Sequence, residues 1–545
     1  MCGIALVCGQ RADPATFRSM LGALAPRGEV TETASADGLL AGVRRLRITD
    51  PEHAAQPLAS ADGRWVLCYN GEVFNYRELR AELSACGRAF RTDSDTEVVL
   101  ESFLHWGVGA VRRFRGEFAF AIADTRAGRV YLARDPLGVK PLYYARAGGR
   151  LHIASEVKAL VPAGAPVTEV PPGHHGWMGG TGGDCLVLYR DFSGPGPGMG
   201  PVTDPAVAAR LVRATLADSI RVRVDTGLTV GVILSGGLDS SLTLAHVRRL
   251  HPDCVALTVG VPGSEDVAYA RRLAADLRVP HEVVEVHPRD IGREEVREAI
   301  RMSELTEYGD IINAVVSVPL FRRARQLGIR IVLTGDGSDE LFGGYPMYQS
   351  AGPDRARALF LHKLRTLGRT ELQRVDRISL GHGVEARVPF LDPAMVDLAM
   401  RLPMELKVRD GQEKWILRYA FAGLLPGYIL ERPKNPMSYS SGLHERVRLF
   451  RPLFARIHRS LGYDLLDSVR RDFSRVLSDC GHDLDLALAR AQARPDHTVA
   501  EHARDLIGAL RQNALPRRTL PPRHARLRGD SAHPAHGRPL PRVPA

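Results

Sequence analysis

A run of glycine and proline divides this sequence into two parts with different hydrophobic patterns. The run spans residues 193–201 and cannot form regular structure, so it predicts a linker. Before it, short apolar or alternating segments bounded by Gly, Asp or Arg predict an α+β domain. After it, continuous apolar strands alternate with helices, which predicts an α/β domain with a parallel sheet covered on both faces.

These patterns predict an order of segments along the chain: a first domain at 2–190, a linker at 191–203, a second domain at 204–460, and a helical remainder with a basic Pro/Arg-rich tail at 461–545. In the first domain we expect helices at residues 76–86 and 95–106. In the second we expect a strand at 228–234 that leads into a helix near 239–250. We expect residues 516–545 to be disordered.

Composition and charge restrict the class of protein. The 545 residues are 44% hydrophobic and 25% charged, which is ordinary for a globular protein. We expect no membrane span and no signal peptide, because the apolar runs are short and the N-terminus lacks a basic region. Seven scattered cysteines without metal-binding spacing favour a reducing, cytoplasmic location. Residues 516–545 supply +6 of the net charge of +11, so nucleic acid is not an expected partner of the remainder.

The second residue of the chain is a candidate nucleophile. Cys2 follows the initiator methionine directly, and removal of Met1 would leave it with both a thiol and a free α-amine. An α-amine has an ordinary pKa of about 7.7–8.0, so it can accept the thiol proton near neutral pH. One residue would then supply both the nucleophile and the base.

Attack of a thiolate on an amide carbonyl requires hydrogen-bond donors for the negative oxygen that develops. Asn70 and Gly71, at the end of a predicted strand, offer a side-chain amide and a backbone N–H. Glycine also permits a close approach of the backbone. Without this context, Cys2 would be an incidental small residue.

Five short motifs occur in one order in the first domain: Met-Cys-Gly-Ile at the N-terminus, Arg-Leu-Arg-Ile at 45–48, Asn-Gly-Glu-Val-Phe-Asn at 70–75, Ser-Asp-Thr-Glu at 94–97 and Arg-Asp-Pro-Leu-Gly-Val-Lys-Pro-Leu-Tyr-Tyr at 134–144. Together they resemble the N-terminal-nucleophile (Ntn) glutaminase domain of class II amidotransferases. The resemblance implies layered antiparallel sheets with helices. It also implies that Cys2 is the nucleophile, that the oxyanion hole consists of Asn70 and Gly71, and that glutamine is bound by Arg45, Asn70, Glu72 and Asp95.

The proposed glutamine ligands suit the substrate chemically. Arg45 can bind the α-carboxylate through its bidentate fork, and Glu72 and Asp95 can bind the α-ammonium. One early loop departs from the family pattern, because Arg-Gly-Glu-Val at 27–30 stands where the family usually has Arg-Gly-Pro-Asp. That loop tends to lie near the glutamine pocket.

A second site is predicted at residues 234–241, Leu-Ser-Gly-Gly-Leu-Asp-Ser-Ser, where a strand meets a helix. Small residues expose backbone N–H groups there, and the helix N-terminus favours an anion. The hydroxyls of Ser235, Ser240 and Ser241 add donors. No lysine follows the glycines, so this is not the loop of the P-loop NTPases. The segment resembles the pyrophosphate-binding loop of ATP pyrophosphatases, the adenine nucleotide α-hydrolase-like fold, which cleave ATP between the α- and β-phosphates.

Two acidic loops are predicted to meet at one edge of the parallel sheet. Asp239 lies in the first loop, and a second loop at 334–345 follows the strand that ends at Leu333. Ligands bind at the carboxyl ends of the strands in open α/β sheets. Carboxylates are suitable ligands for Mg²⁺, so we expect Asp239 and Asp339 to bind this ion.

Further motifs at 384–392, 413–418 and 432–435 contain Arg387, Lys414 and Lys434. With the two loops, they resemble the synthetase domain of glutamine-hydrolysing asparagine synthetases. The resemblance implies that Lys434 is the catalytic lysine over the α-phosphate, where a cation neutralises developing charge. It implies an ATP and pyrophosphate site formed by Ile233, Ser235, Gly236, Gly237, Asp239, Ser240, Ser241, Val259, Thr334 and Gly335, and an acyl-adenylate site formed by Asp336, Arg387 and Lys414.

The acid that is amidated stays open at this point. Asparagine synthetases commonly have Ser-Gly-Glu-Gly, whereas this chain has Thr-Gly-Asp-Gly at 334–337. A Thr-Thr-x-Arg segment that can meet aspartate is replaced by residues 308–313, which contain no arginine. Lys434 is followed by Asn-Pro-Met rather than by Glu-Gln-Phe.

The sequence as a whole predicts a glutamine-dependent, ATP-dependent amide synthase that releases AMP and pyrophosphate. Asparagine synthetase is the first hypothesis, and the alternative is a related amidotransferase of specialised metabolism that acts on another acid. The retained Cys2 argues against a ring-closing synthetase with a relic glutaminase, as in the β-lactam synthetases. A nucleic-acid-binding or scaffold protein that uses the basic tail is the remaining hypothesis. The expected ligands are glutamine, ATP, Mg²⁺ and a carboxylic acid, and a homodimer is compatible with the sequence.

Overall fold

The computed structural model describes residues 1–9, 12–180, 183–192, 199–305, 308–345, 348, 353–435 and 440–461. The expected linker at 191–203 lies partly outside these ranges, and the basic tail lies wholly outside them. Within these ranges, the protein has no helix with the length and hydropathy needed to cross a membrane.

The described N-terminal residues form two six-stranded antiparallel sheets. In chain order the strands are β1 (Cys2–Cys8), β2 (Val30–Ala36), β3 (Leu39–Arg45), β4 (Leu58–Ala59), β5 (Trp65–Val73), β6 (Gly116–Asp124), β7 (Arg129–Arg134), β8 (Tyr143–Ala147), β9 (Arg150–Ala154), β10 (Val167–Glu169), β11 (His174–Gly179) and β12 (Cys185–Leu188). One sheet has the order β10-β8-β9-β1-β3-β2, and the other has the order β12-β11-β7-β6-β5-β4.

Strand β1 is buried along its whole length because other layers cover both of its faces. Alternate side chains share a core with the second sheet, at Cys2, Ile4, Leu6 and Cys8. Ala5 and Val7 point the other way and pack under helix α1 (Pro14–Ala23). This period of two is that of a strand with two covered faces.

The outer face of the second sheet packs against helices α2 (Tyr76–Ala85) and α3 (Asp95–Trp106). Both helices were expected from the sequence, and α3 begins after Ser94, whose hydroxyl accepts the N–H of Glu97 as an N-cap. The layer order of helix, sheet, sheet and helix confirms the prediction of layered antiparallel sheets with helices.

The second part contains a parallel sheet with the order β15-β14-β13-β16-β17, formed by β13 (Val230–Ile233), β14 (Cys254–Gly260), β15 (His281–Glu285), β16 (Ile331–Leu333) and β17 (Glu385–Arg387). A short antiparallel pair consists of β18 (Val408–Arg409) and β19 (Gln412–Glu413). The helices are α4 (Pro205–Arg223), α5 (Leu238–Leu250), α6 (Glu265–Asp276), α7 (Arg293–Ser303), α8 (Tyr308–Gln326), α9 (Ser338–Phe342), α10 (Pro353–Thr366), α11 (Glu371–Leu380), α12 (Pro393–Arg401), α13 (Met404–Lys407), α14 (Trp415–Ala420), α15 (Gly427–Leu430), α16 (His444–Arg448) and α17 (Phe454–Ser460).

The order of the parallel strands creates a crevice beside β13. The chain proceeds from β13 to β14 on one side and returns to β16 on the other side. The loops after β13 and β16 therefore leave the sheet next to each other at its carboxyl edge, which is where ligands bind in such sheets. This arrangement confirms the predicted α/β fold class of the second part.

Buried ion pairs join the two parts. Arg223 of α4 lies 3.0 Å from Glu117 of β6 and 2.9 Å from Asp392. Arg27 lies 2.9 Å from Asp376 of α11. Removal of one partner from such a buried pair leaves an uncompensated charge and costs about 3–5 kcal/mol. These pairs therefore fix the position of the N-terminal sheets against the parallel sheet.

A pair of glycines tests the packing of α1 on the first sheet. A Cβ at Gly42 of β3 would lie 2.7 Å from Leu21 Cδ1 and 2.9 Å from Phe17 Cζ, whereas a Cβ at the exposed helical Gly22 would meet no atom within 4 Å. We expect Gly42→Ala to lower the free energy of unfolding by about 1–3 kcal/mol. We expect Gly22→Ala to raise it by about 0.5–1 kcal/mol. Urea unfolding followed by circular dichroism gives both values, and equal effects of the two substitutions would contradict this packing.

Candidate active sites

The first site is built around Cys2, which begins β1. Its backbone N–H donates to Asn70 Oδ1 over 3.0 Å, and its carbonyl accepts from Arg27 Nε over 3.1 Å. The side chain is buried, and burial raises the pKa of the Cys2 thiol, although the N-terminal charge, Arg45 and Arg27 act in the opposite direction. The thiol therefore needs nearby donors or a base to ionise near neutral pH.

Asn70 presents a free donor beside Cys2. Because Asn70 Oδ1 accepts the Cys2 N–H, the Nδ2 group is the part of the amide that stays available. Nδ2 is buried, and in the described part of the chain it has no hydrogen-bond partner. Such a buried unsatisfied donor is rare in proteins and indicates a function.

Gly71 follows Asn70 in β5 and is opposite Phe118 of β6. A Cβ at this position would lie 2.4 Å from the carbonyl oxygen of Glu117 and 2.6 Å from Phe118 Cα. Only glycine allows the two strands to approach so closely. The residue type at position 71 is therefore fixed by strand packing as well as by any role in binding.

The other residues expected at this site line the same small pocket as Cys2. Arg45 is buried, and its Nη2 donates to the carbonyl oxygen of Asp50 over 3.0 Å. Glu72 accepts from Thr49 Oγ1 over 3.0 Å, and Asp95 accepts from the hydroxyl of Tyr69 over 2.6 Å. The pocket therefore brings one guanidinium and two carboxylates together around the thiol.

The two carboxylates are held in an environment that disfavours their charges. Burial, followed by the charge of Asp95, raises the pKa of Glu72 to about 8, although Arg387 opposes this shift. Burial also raises the pKa of Asp95. A bound cation would relieve both effects, so this end of the pocket suits an ammonium group.

Arg387, which the resemblance implies for the acyl-adenylate site, has a contact with Glu72 of the first site. Its Nε donates to Glu385 over 2.5 Å, its Nη1 donates to the carbonyl oxygen of Arg223, and its Nη2 lies 3.7 Å from Glu72. Its guanidinium thus faces the first site, although the residue belongs to strand β17 of the parallel sheet. Glu385 lies 3.7 Å from the Met1 ammonium, so β17 contributes two charged side chains to this end of the molecule.

Arg27 was not identified from the sequence, although it lies in the loop that departs from the family pattern. Its Nη1 lies 2.7 Å from Glu156 and 2.9 Å from Asp376, in addition to the bond from its Nε to Cys2. Next to it, a Cβ at Gly28 would lie 2.4 Å from the carbonyl carbon of Arg45. The Arg-Gly dipeptide at 27–28 was the sequence signal for this contact. Arg27 is needed for the buried ion pairs, and Gly28 is needed because a Cβ would clash with the backbone of Arg45.

The second site begins with the loop after β13. Ser235 Oγ accepts the N–H of Gly237 over 3.3 Å and lies 3.2 Å from Ser240 Oγ. Gly236 has a φ of +69°, and a Cβ there would lie 2.5 Å from Tyr269 Cβ. The loop is therefore tight and small, and it turns directly into α5, which contains Ser240 and Ser241.

The loops after β13 and β16 are in direct contact. Ser338 Oγ donates to Asp239 Oδ1 over 2.6 Å, and a Cβ at Gly335 would lie 2.9 Å from Asp239 Cβ. Ile233 and Val259 lie at or near the carboxyl ends of β13 and β14 on the same edge. The structure thus brings together the two loops that the sequence predicted to meet.

Two lysines stand between the acidic side chains of these loops. Lys414 Nζ donates to Asp239 Oδ2 and lies 2.6 Å from Asp339 Oδ1. Lys434 Nζ lies 2.5 Å from Asp339 Oδ2. Although burial acts in the opposite direction, the two ammonium groups hold the pKa of Asp339 well below its usual range. The charges of Asp339 and Asp239 in turn raise the pKa of Lys434 against the effect of its burial.

The donor set is suitable for a magnesium ion that also binds phosphate. No cluster of three or more His, Cys, Asp and Glu side chains capable of holding a metal occurs among the described residues. Asp239 and Asp339 nevertheless converge on one cation, the Lys414 ammonium. Magnesium commonly uses one or two carboxylates together with substrate phosphates, so these two residues fit it.

Asp336, another residue of the expected adenylate site, binds within the second part. Asp336 lies 2.6 Å from Arg374 Nη2 of helix α11, and its N–H donates to Thr334 Oγ1 over 3.3 Å. The side chains of residues 308 and 309 lie outside the described residues, as do residues 436–439 after Lys434. Asp336 thus has a fixed cationic partner before any substrate binds.

Arg432 and Glu413 belong to the second site but were not identified from the sequence. Arg432 Nη1 donates to the carbonyl oxygen of Ser235 over 2.9 Å, and its Nη2 lies 2.6 Å from Asp266. Glu413 Oε1 accepts the N–H of Lys434 over 3.1 Å. The Arg-Pro-Lys motif was the signal for Arg432. Arg432 binds the loop at Ser235, and Lys434, two residues later, enters the same cleft.

Comparison with family models agrees with this division of the molecule. A model described as a glutamine amidotransferase domain matches residues 1–172. A model described as asparagine synthase matches residues 211–358 and 348–477. The first match contains Cys2 and its pocket, and the second contains both acidic loops.

Curated relatives match most of the chain. Asparagine synthetase B [glutamine-hydrolyzing] of Escherichia coli is 34% identical over 432 residues, which is 75% of this chain and 76% of that protein. A probable asparagine synthetase [glutamine-hydrolyzing] of Schizosaccharomyces pombe is 31% identical over 73% of this chain and 76% of that protein. Among solved structures, glutamine phosphoribosylpyrophosphate amidotransferase from B. subtilis has a TM-score of 0.32 and 14% identity over 81% of this chain and 95% of that chain, a likeness too low to add to the fold assignment.

The raised pKa of Glu72 predicts a pH-dependent effect on stability. The pKa of Glu72 is raised from 4.5 to about 8 on folding. Below pH 4.5 the protonated carboxyl does not oppose folding. As the pH rises from 4.5 towards 8, the unfolded chain ionises more readily than the native state, so the native state loses stability. Glutamine cannot ionise, so we expect Glu72→Gln to gain about 1–3 kcal/mol of stability relative to the wild type between pH 5 and pH 8.5. Urea midpoints at the two pH values measure the gain. The exposed Glu78→Gln is the control and should show none; a Glu72→Gln difference that does not change with pH would contradict the shift.

Proposed function

Because the chain belongs to the family of glutamine-hydrolysing asparagine synthetases, we propose that it makes asparagine from aspartate with nitrogen from glutamine and with energy from ATP. It is a glutamine-hydrolysing carbon–nitrogen ligase of two parts. The N-terminal part releases ammonia, and the parallel-sheet part activates the acid that accepts it.

At the first site, Cys2 Sγ attacks the side-chain amide carbon of glutamine once Met1 has been removed. The α-amine of Cys2 takes the thiol proton and returns it to the departing ammonia, and water then releases glutamate from the γ-glutamyl thioester. Asn70 Nδ2 and the Gly71 N–H donate to the oxyanion. Arg45 binds the α-carboxylate, and Glu72 and Asp95 bind the α-ammonium.

The observation that carries this proposal is the orientation of the Asn70 amide. Its oxygen is occupied by the Cys2 N–H over 3.0 Å, and its buried nitrogen has no partner among the described residues. A donor left free next to a nucleophile is what an oxyanion requires, and it would be costly in a merely structural residue.

At the second site, a carboxylate of aspartate attacks the α-phosphate of ATP and pyrophosphate leaves. The N–H groups and hydroxyls of residues 235–241 receive the pyrophosphate, and Lys434 neutralises charge at the α-phosphate. Ammonia then attacks the acyl-adenylate and displaces AMP. Adenylation is needed because a carboxylate is itself a poor electrophile.

We propose Asp239 and Asp339 as the residues that hold Mg²⁺. When bound, the ion would neutralise phosphate charge and orient the leaving pyrophosphate. Lys414 contacts both carboxylates and holds them close together.

Aspartate is supported as the acid by the relatives, which are named asparagine synthetases and match about three quarters of the chain. The alternative, a related amidotransferase that acts on another acid, is not favoured by these matches. Arg374, the partner of Asp336, is a cation near this cleft.

Removal of the nucleophile should separate the two activities. We expect Cys2→Ala to lower glutamine-dependent asparagine formation about 10³-fold or more, because the thioester cannot form. Ammonia-dependent formation should stay at the wild-type rate, because the second site is unchanged. Asparagine is measured by chromatography with glutamine or ammonium chloride as the nitrogen donor. Loss of both activities would refute the assignment of separate sites.

Removal of a carboxylate from the second site should have the opposite pattern. We expect Asp239→Asn to lower release of AMP and pyrophosphate about 100-fold or more, while glutamine hydrolysis at Cys2 continues. Asp290→Asn at an exposed site is the matched control for Asp239→Asn.

The acid substrate is identified with the wild-type protein. The assay uses MgATP, ammonia and a panel of carboxylic acids, and we expect turnover with aspartate. Turnover with another acid and none with aspartate would favour the alternative substrate.

A further inference from the structure

A buried glutamine in the chain itself contacts the sulfur of Cys2. Gln56 is only 5% exposed, and its Nε2 lies 3.8 Å from Cys2 Sγ and 3.3 Å from Thr96 Oγ1. Neither the motifs nor the resemblance singles out this residue. Its contact with a reacting atom makes it a candidate for a chemical role.

The orientation of the Gln56 amide follows from its other partner. Gln56 Oε1 accepts the backbone N–H of Tyr69 over 2.9 Å. A backbone N–H can only donate, so the oxygen of the amide must face Tyr69 and the NH₂ group must face Cys2. The two hydrogens of Nε2 are then shared between Thr96 Oγ1 and Cys2 Sγ.

The position of Gln56 is fixed by its backbone as well. Its N–H donates to Glu32 Oε2 over 2.8 Å, so both ends of the residue are bound. Three anchors on three elements (β2, β5 and α3) hold the amide against the sulfur. Because the side chain is already fixed in position, no reorganisation free energy is needed to place its N–H at the sulfur when the thiolate forms.

We propose that Gln56 is a catalytic residue of the glutaminase reaction that stabilises the Cys2 thiolate. Burial disfavours the charged sulfur, and a neutral N–H donor directed at it strengthens when the sulfur becomes negative. The same donor serves twice in each turnover. It stabilises the thiolate before attack, and it stabilises the sulfur again when water attacks the thioester carbon and the C–S bond breaks with its electron pair returning to Sγ.

This role differs from that of the oxyanion donors. Asn70 Nδ2 and the Gly71 N–H serve the oxygen of the substrate, whereas Gln56 Nε2 serves the sulfur of the enzyme. Loss of an oxyanion donor would lower the rate at every pH, but loss of Gln56 should also shift the pH dependence of the thiol. The pH profile therefore distinguishes the two kinds of donor.

The test compares three variants of the full chain. Gln56→Met keeps the size of the side chain but removes both donor and acceptor. Gln56→Glu keeps an oxygen for the Tyr69 N–H but removes the amide donor that faces Sγ. Gln373→Met is the matched control, because Gln373 is equally buried but its Nε2 donates to the carbonyl oxygen of Ser303 in the second part.

Two readouts are measured for each variant between pH 6 and pH 10. One is the rate of alkylation of Cys2 by iodoacetamide, followed by the mass of the N-terminal peptide. The other is kcat/KM for glutamine hydrolysis. We expect both Gln56 variants to shift the midpoint of alkylation upward by about one pH unit, which is about a tenfold slower reaction at pH 7. We expect kcat/KM for glutamine at pH 7 to fall about 10- to 100-fold.

Ammonia-dependent synthesis reports on the folding of each variant. It should stay at the wild-type rate, and Gln373→Met should keep the wild-type alkylation profile. If Gln56→Met loses ammonia-dependent synthesis through misfolding, Gln56→Glu decides the question, because it retains the anchor to Tyr69. Wild-type alkylation and hydrolysis profiles in a folded Gln56→Glu protein would overturn the proposal.

This inference rests on the proposed role of Cys2, and the two can fail separately. If Cys2→Ala keeps glutamine-dependent synthesis, the nucleophile itself has been misassigned. If Cys2→Ala loses that synthesis but the Gln56 variants behave as the wild type, only the role of Gln56 is refuted.

Discussion

Buried charges between the two parts of the molecule are the constraint on which the rest of the structure depends. Arg223 binds Glu117 and Asp392 at 3.0 Å and 2.9 Å, and all three side chains are buried. A buried charge without its partner would be strongly destabilising, so neither part can shift without breaking such pairs. The N-terminal sheets and the parallel sheet therefore form one framework, and the distance between their sites is set by that framework.

One helix and one strand of the second part connect this framework to both sites. Helix α11 carries Arg374, which holds Asp336 at the second site, and Asp376, which holds Arg27 beneath Cys2. Strand β17 carries Arg387, which lies 3.7 Å from Glu72 in the pocket of the first site. The first site is therefore completed by residues that lie more than 300 positions away in the chain, and its electrostatics depend on docking of the second part.

Carboxyl groups at the two sites have pKa values shifted in opposite directions because their neighbouring charges differ. Glu72 has a raised pKa of about 8, since burial and the charge of Asp95 outweigh the opposing charge of Arg387. Asp339 is partly buried, but two lysine ammonium groups contact it and hold its pKa far below the ordinary value. The carboxyls of Glu72 and Asp95 at the first site thus suit an ammonium group, while the second site has two lysines beside Asp339 that suit phosphates.

Local patterns in the amino-acid sequence were enough to predict the fold classes and the candidate residues. Period-two and continuous apolar runs, together with the glycine-proline run, predicted the two fold classes, and the helix predicted at 95–106 has the same bounds in the structure as α3. Short motifs marked Cys2, Asn70 and the two acidic loops as candidates. The contacts between side chains from distant segments could not be predicted in this way. The tertiary structure directed Arg387 towards Glu72, set Gln56 against the Cys2 sulfur and bound Arg27 to Asp376, because such contacts depend on strand pairing and domain docking and leave no periodic signal in the chain.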